Sequence, residues 1–223
     1  MSTAVIKPPA LNEPVQHFVL NSVTYDQFVA ITDAWGERPG LRVSYDGERL
    51  EIMGTSRRHE RWKKILGDLI RLLTLQLDIP MESGGNTTFR NEFVERGLEP
   101  DDCFWIQNVD RILGVDDWVA GTHPPPDLAV EIVVTRGVVN RKEIYSKLGV
   151  AELWVFDGAN FIVQQLQPDG TYQENDRSVA FPFLDVSLLV PFLTMDPVVS
   201  ETALLKQFIA WLESQDFPGD SHT

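Results

Sequence analysis

"PDLAVEIVVTRGVVNRKEIYSKLGVAELWVFD", residues 126–157, changes its hydrophobic period twice, and that change decides the fold. From Asp127 to Val134 the side chains alternate as on a strand. Leu128, Val130, Ile132 and Val134 share one face, and Asp127, Ala129, Glu131 and Val133 share the other. A helix is expected from about Val138 to Leu148, after which "AELWVFD" returns to strand. Strand, helix and strand at this spacing make a crossover unit, which sets the two strands parallel in one sheet. One face of the first strand is purely aliphatic. The other carries both of its acids, and burying an unpaired carboxylate is costly enough to need a reason.

Upstream, "DDCFWIQN" (101–108) splits in the same way, with Phe104 and Ile106 on one face and Asp101, Cys103, Trp105 and Gln107 on the other. If the two strands are neighbours, Asp101 converges on Glu131. Carboxylates so placed repel unless a proton or cation intervenes, and Mg²⁺ takes one or two carboxylates while keeping several waters. Such an ion can activate water and stabilise charge on a phosphoryl group. The spacing alone equally allows Asp127 to start the strand, Asp101 to lie in a loop and Glu131 to pair with a base.

Further out, Thr24 and Gln27 have capping-box spacing ahead of a short helix to Trp35. "LRVSYDGERLEIM" (41–53) reads as a hairpin about a two-residue Asp46-Gly47 turn. A longer helix is expected from Ser56 to about Leu77, with Trp62, Ile65, Leu66, Leu69, Leu72 and Leu73 as its apolar stripe and His59 and Glu60 in its first turn. "FIVQQLQ" adds a strand after 157, and two helices, near 185–192 and 200–214, close the chain. The expected class is α/β or α+β, a central mixed β-sheet flanked by α-helices. The expected organisation is an N-terminal arm over 1–19, a domain over 20–195, and a C-terminal helix and tail over 196–223 packed on it.

With 43% hydrophobic and 23% charged residues, the 223-residue chain has the balance of a globular protein. It shows neither a membrane-spanning run nor a basic start with an apolar h-region, so a cytoplasmic protein is expected. The single cysteine, Cys103, excludes an internal disulfide and reads as a core residue. The four histidines are too scattered for a zinc motif. A net charge of −14 argues against a general nucleic-acid binder. Yet ten of the 19 basic residues fall in two stretches, 57–71 and 136–147, which are either solvated helix faces or a local positive field.

Three blocks, "RLEIMGTSRRHE", "GLEPDDCFWIQN" and "HPPPDLAVEIVVTRGVVNRKEIYSKLGVAELWVFDG", resemble the putative restriction endonuclease family of bacteria, within the PD-(D/E)XK nuclease superfamily. The resemblance runs from about residue 20 to 195. It implies a restriction-endonuclease-like core with a divalent metal, Mg²⁺ or Mn²⁺, at the ends of two central strands. It also implies Asp101 as the aspartate of the PD motif, Glu131 as the acid of the third motif, and Glu60 as the acid on the first core helix. The superfamily's lysine would stand at Val133. Its charge is expected instead from the following helix, where Arg141 matches and Lys142 lies beside it.

Arginine cannot serve as a proton-transfer base, so Arg141 would stabilise negative charge. Glu60 is either support for the metal site or a favourable charge at a helix N-terminus. Asp127 is either a further metal ligand or a cap at the strand entry. His59 is expected in a hydrogen-bonded structural or surface role, and Trp105 and Trp154 in the core. The function expected from residues and resemblance together is Mg²⁺-dependent hydrolysis of DNA phosphodiesters. The alternatives are a catalytically inactive module that keeps the fold and binds nucleic acid or protein, and a hydrolase of other phosphate esters. An edge strand or the C-terminal helix would be the place for a homodimer.

Overall fold

The computed structural model describes residues 16–36 and 40–217. Most of the arm expected over 1–19 lies outside them, but its last residues form strand β1 (His17–Leu20). Helix α1 (Tyr25–Trp35) starts at the foreseen capping box: Thr24 Oγ1 accepts the Gln27 N–H, and the Gln27 side chain accepts the Thr24 N–H. The hairpin β2 (Leu41–Tyr45) and β3 (Leu50–Gly54) turns one residue later than expected. Asp46 and Arg49 close it, and Gly47 takes φ +94° at the first turn position, where a Cβ would be strained. Helix α2 (Arg57–Gln76) is capped by Ser56, whose hydroxyl accepts the His59 N–H.

Four short strands follow: β4 (Glu82–Ser83), β5 (Phe89–Asn91), β6 (Arg96–Leu98) and β7 (Asp102–Trp105). Strand β8 (Leu128–Ile132) leads to helix α3 (Arg141–Leu148) and then β9 (Glu152–Phe156). The chain continues through β10 (Phe161–Leu166), β11 (Tyr172–Asn175), a 3-10 turn at Val186–Leu189, the short α4 (Val190–Leu193) and α5 (Glu201–Glu213). Helix α3 begins three residues after the expected Val138. The buried Glu51 carboxylate accepts the Val138 and Val139 N–H groups, which holds that stretch out of the helix.

The fold is mixed α+β, built on two sheets. The six-stranded sheet runs β11-β10-β9-β8-β7-β4, and β8 and β9 pair in parallel as the crossover requires. Its other pairs are antiparallel. The foreseen alternation along β8 holds. Leu128, Val130 and Ile132 join one core with α2 residues Ile65, Leu66 and Leu69 and with Leu204 and Phe208 of α5, while Ala129 faces Ile144, Tyr145 and Leu148 of α3. The acid-bearing face is therefore covered by α3.

The second sheet, β1-β3-β2-β6-β5, is antiparallel throughout. One of its faces packs against α1, with the Phe28 and Tyr45 rings stacked at 4.9 Å. Alternation then fixes where the rest of β2 goes: with Val43 and Tyr45 against α1, Arg42 and Ser44 face the other way.

Candidate active site at the ends of β7 and β8

The register of β7 on β8, Asp102 opposite Val130, places Asp101 beside Glu131 just beyond the end of the ladder. The convergence expected of these two acids is present. Asp101 is fully buried, and its N–H donates to the Val130 carbonyl at 3.2 Å. Its Oδ2 accepts the Ile132 N–H at 2.7 Å, so a side chain completes the hydrogen bonding at the strand end. Two residues earlier, the Glu99 carboxylate accepts the Val43 N–H and the Thr88 hydroxyl, which ties this corner to the second sheet.

Two arginines answer the two acids. Arg42 Nη1 lies 2.7 Å from both Asp101 oxygens and 3.3 Å from Glu131 Oε2, bridging the pair. Arg141 Nη2 donates to Glu131 Oε1 and to the Glu99 carbonyl, and Nη1 donates to Ser44 Oγ. Tyr145, one turn along α3 from Arg141, donates its hydroxyl to the same Glu131 oxygen. Burial pushes that phenol well above its ordinary pKa, and the Glu131 charge adds to the effect. Burial works to lower the pKa of Arg141, but Glu131, Tyr145 and Asp101 together outweigh it and keep the guanidinium charged.

His59 sits behind Asp101, 3% exposed, with Nε2 3.0 Å from Oδ2. Its Nδ1 lies 3.3 Å from Glu60 Oε1. Burial pulls the imidazole pKa down, but its hydrogen bonds to Asp101 and Glu60 prevail and raise it. Burial works to raise the Asp101 pKa; Arg42, His59 and the Ile132 N–H together hold it well below the usual carboxylate range.

The site opens into a cavity of about 520 Å³ beyond the carboxyl ends of β8 and β9, walled by Arg42, Glu131, Arg136, Arg141 and Lys142. Lys142 and Arg136 are exposed at its rim. Of the residues expected in the site, Asp101, Glu131 and Arg141 are thus brought into one cluster, Arg141 directly on Glu131 and Arg42 bridging the two acids. Lys142 reaches the cavity wall, and Glu60 touches the cluster only through His59.

Asp127 is not brought to it. It lies at the other end of β8, about 13 Å of strand away, where its carboxylate accepts the Ile106 and Asn108 N–H groups and the Asn108 side-chain amide. Those groups belong to the chain just after β7, so Asp127 ties the exit of that strand to the entry of β8. Trp105 and Trp154 are buried, with their indole N–H groups bonded to the Pro124 carbonyl and to Glu152.

The sequence reading missed Arg42, the Asp101 contact of His59, and the support given by Ser44 and Glu51. A signal was present for three of these. Val43, Tyr45, Leu50 and Ile52 make the apolar face of the hairpin, so its reverse face had to present Arg42, Ser44 and Glu51.

Asp101 and Glu131 together offer the hard oxygen donors that Mg²⁺ or Mn²⁺ prefers, in the number Mg²⁺ commonly takes from protein. Among the described residues, no three His, Cys, Asp or Glu side chains gather in a metal-holding cluster. The donor set therefore fits an ion that keeps most of its waters, and not a closed protein cage. The same oxygens are the ones that Arg42 contacts.

A sequence family described as putative restriction endonuclease, Uma2, matches residues 25–197. No curated protein matches the chain. The crystal structure of a putative nuclease belonging to DUF820 from Anabaena variabilis is similar over 85% of this chain and 99% of its own. The sequences are 16% identical and the TM-score is 0.48.

Proposed function

The chain belongs to the Uma2 family of putative restriction endonucleases, and on that membership and the geometry at Asp101 and Glu131 we propose a divalent-metal-dependent endonuclease acting on DNA. The observation that carries this reading is the meeting of two buried carboxylates with two guanidinium groups at the wall of a cation-rimmed cavity. Asp101 and Glu131 would hold the ion, Mg²⁺ or Mn²⁺. When bound, it would supply water activation and neutralisation of phosphoryl charge.

The protein's own groups do the rest. The Ile132 N–H and His59 orient Asp101, while Tyr145 and Arg141 orient Glu131. Arg141 cannot take a proton, so its contribution is a fixed positive charge for the phosphate, standing in for the lysine that Val133 replaces. Lys142 and Arg136 at the rim attract the backbone of the substrate despite the acidic total charge. Glu131→Gln keeps the shape and removes the charge. It is expected to abolish metal-dependent cleavage of a DNA duplex while leaving the circular dichroism spectrum unchanged, and full activity would overturn the proposal.

One observation favours a second reading, an inactive module of the same fold. The two acids are already neutralised by Arg42 and Arg141, and position 133 carries valine. Calorimetric titration with Mn²⁺ separates the two readings, since the module would show no binding that depends on Asp101 and Glu131.

A further inference from the structure

Arg42 and Arg141 contact the same acids but are built in differently. Arg141 uses both terminal nitrogens on four fixed groups, Ser44, the Glu99 carbonyl, Glu131 and Tyr145. Arg42 spends one nitrogen, Nη1, on Asp101 and Glu131, while Nη2, among the described residues, meets only the Met53 sulfur at 3.9 Å. Among the described residues, the buried Arg42 Nε has no hydrogen-bond partner, and the same holds for Arg141 Nε. Much of the Arg42 donor fork is therefore unused.

The acids, for their part, do not depend on Arg42 for their places. Asp101 keeps the Ile132 N–H and His59, and Glu131 keeps Arg141 and Tyr145. What Arg42 supplies is charge. Two carboxylates against two guanidinium groups leave the cluster near neutrality, and a divalent ion added beside Arg42 would meet strong like-charge repulsion. The Arg42 side chain also lines the 520 Å³ cavity, so there is room into which it can turn.

We propose that Arg42 is a displaceable internal counter-ion: its guanidinium occupies the position between Asp101 and Glu131 that the divalent cation takes, and it must swing into the cavity for the ion to enter. Once displaced, it faces the space in which a substrate phosphate would lie. The proposal rests on the metal-binding reading of the same two acids, and the experiment keeps the two apart.

Mn²⁺ is titrated calorimetrically into the full chain and into Arg42→Met, with Asp101→Asn as the control for site-specific heat. A latch closed most of the time weakens apparent affinity in proportion to its closure, so Arg42→Met is expected to bind Mn²⁺ about ten-fold tighter or more. Equal or weaker binding by a folded Arg42→Met overturns the latch and leaves the metal site standing. Absence of Asp101-dependent binding in both proteins overturns the metal reading and the latch with it. Should Arg42→Met not fold, Arg42→Gln, which keeps a donor for Asp101 without the charge, carries the same expectation and the same refutation.

Discussion

Asp101→Asn tests the electrostatic core of the site without a metal or a substrate. The substitution keeps the shape, removes one negative charge from a fully buried position, and leaves Arg42 with Glu131 alone at 3.3 Å. Charge centres about 4 Å apart attract by roughly 4 kcal/mol at an effective dielectric near 20, and breaking one side of a buried pair costs about 3–5 kcal/mol in practice. The asparagine oxygen can still accept the Ile132 N–H, and Arg42 is 12% exposed, which admits some water. The lower end, about 3 kcal/mol, is therefore expected. For a chain of this size that corresponds to a melting temperature lower by roughly 6–12 °C. Urea denaturation followed by circular dichroism, in the presence of EDTA, reads the change directly. The double variant Asp101→Asn/Arg42→Met should recover part of the loss, because the stranded guanidinium is gone. A loss below about 1 kcal/mol, or strict additivity in the double variant, would refute the reasoning that Asp101 and Arg42 form a buried charged pair.

Replacing both rim cations, Arg136→Ala/Lys142→Ala, should leave stability unchanged, since both side chains are exposed. It should also flatten the dependence of log K on log [salt] for duplex DNA by about 0.9 for each phosphate that is no longer neutralised, read by fluorescence anisotropy; an unchanged slope would place the DNA elsewhere. Glu60 gives a pH test: its hydrogen bond to His59 is the main cause lowering its pKa from 4.5 to about 2 in the folded chain. A depressed acid contributes stability above its unfolded pKa and loses it as pH falls through the folded value, so the contribution fades between pH 4.5 and about 2. With the carboxylate about half exposed, screening keeps this under about 1 kcal/mol. Glu60→Gln should show a correspondingly shallower acid limb in its melting temperature, and identical limbs would mean that His59 does not hold the charge.

The parts of the molecule legible in its sequence are those set by local period. The β8-α3-β9 crossover follows from a period-two run, a helical run and a second period-two run; the two-faced pattern of β7 was legible too, but its pairing with β8 was only a condition until the fold supplied it. Arg42 was not legible in that way. It lies 59 residues from Asp101, and only the tertiary packing of the two sheets brings it there. The start of α3 was misjudged for a similar reason, because Glu51, 87 residues from Val138, takes the amides that local propensity would have given to a helix.

The two acids of β8 show where period-two reasoning stops. Alternation correctly assigns Asp127 and Glu131 to one face of the sheet, but a face has length as well as sides. Four residues of strand separate the carboxylates by about 13 Å, well beyond the span of one coordinated ion. At one end the available partners are backbone N–H groups left by the chain as it leaves the neighbouring strand β7, and Asp127 accepts them. At the other end the partners are a neighbouring strand's aspartate and two arginines. The chemistry of each acid was decided by what the fold delivers to its end of the strand. That is why the proposed site rests on Glu131 with Asp101, and why the residue that most needs explaining is the cation placed between them, Arg42.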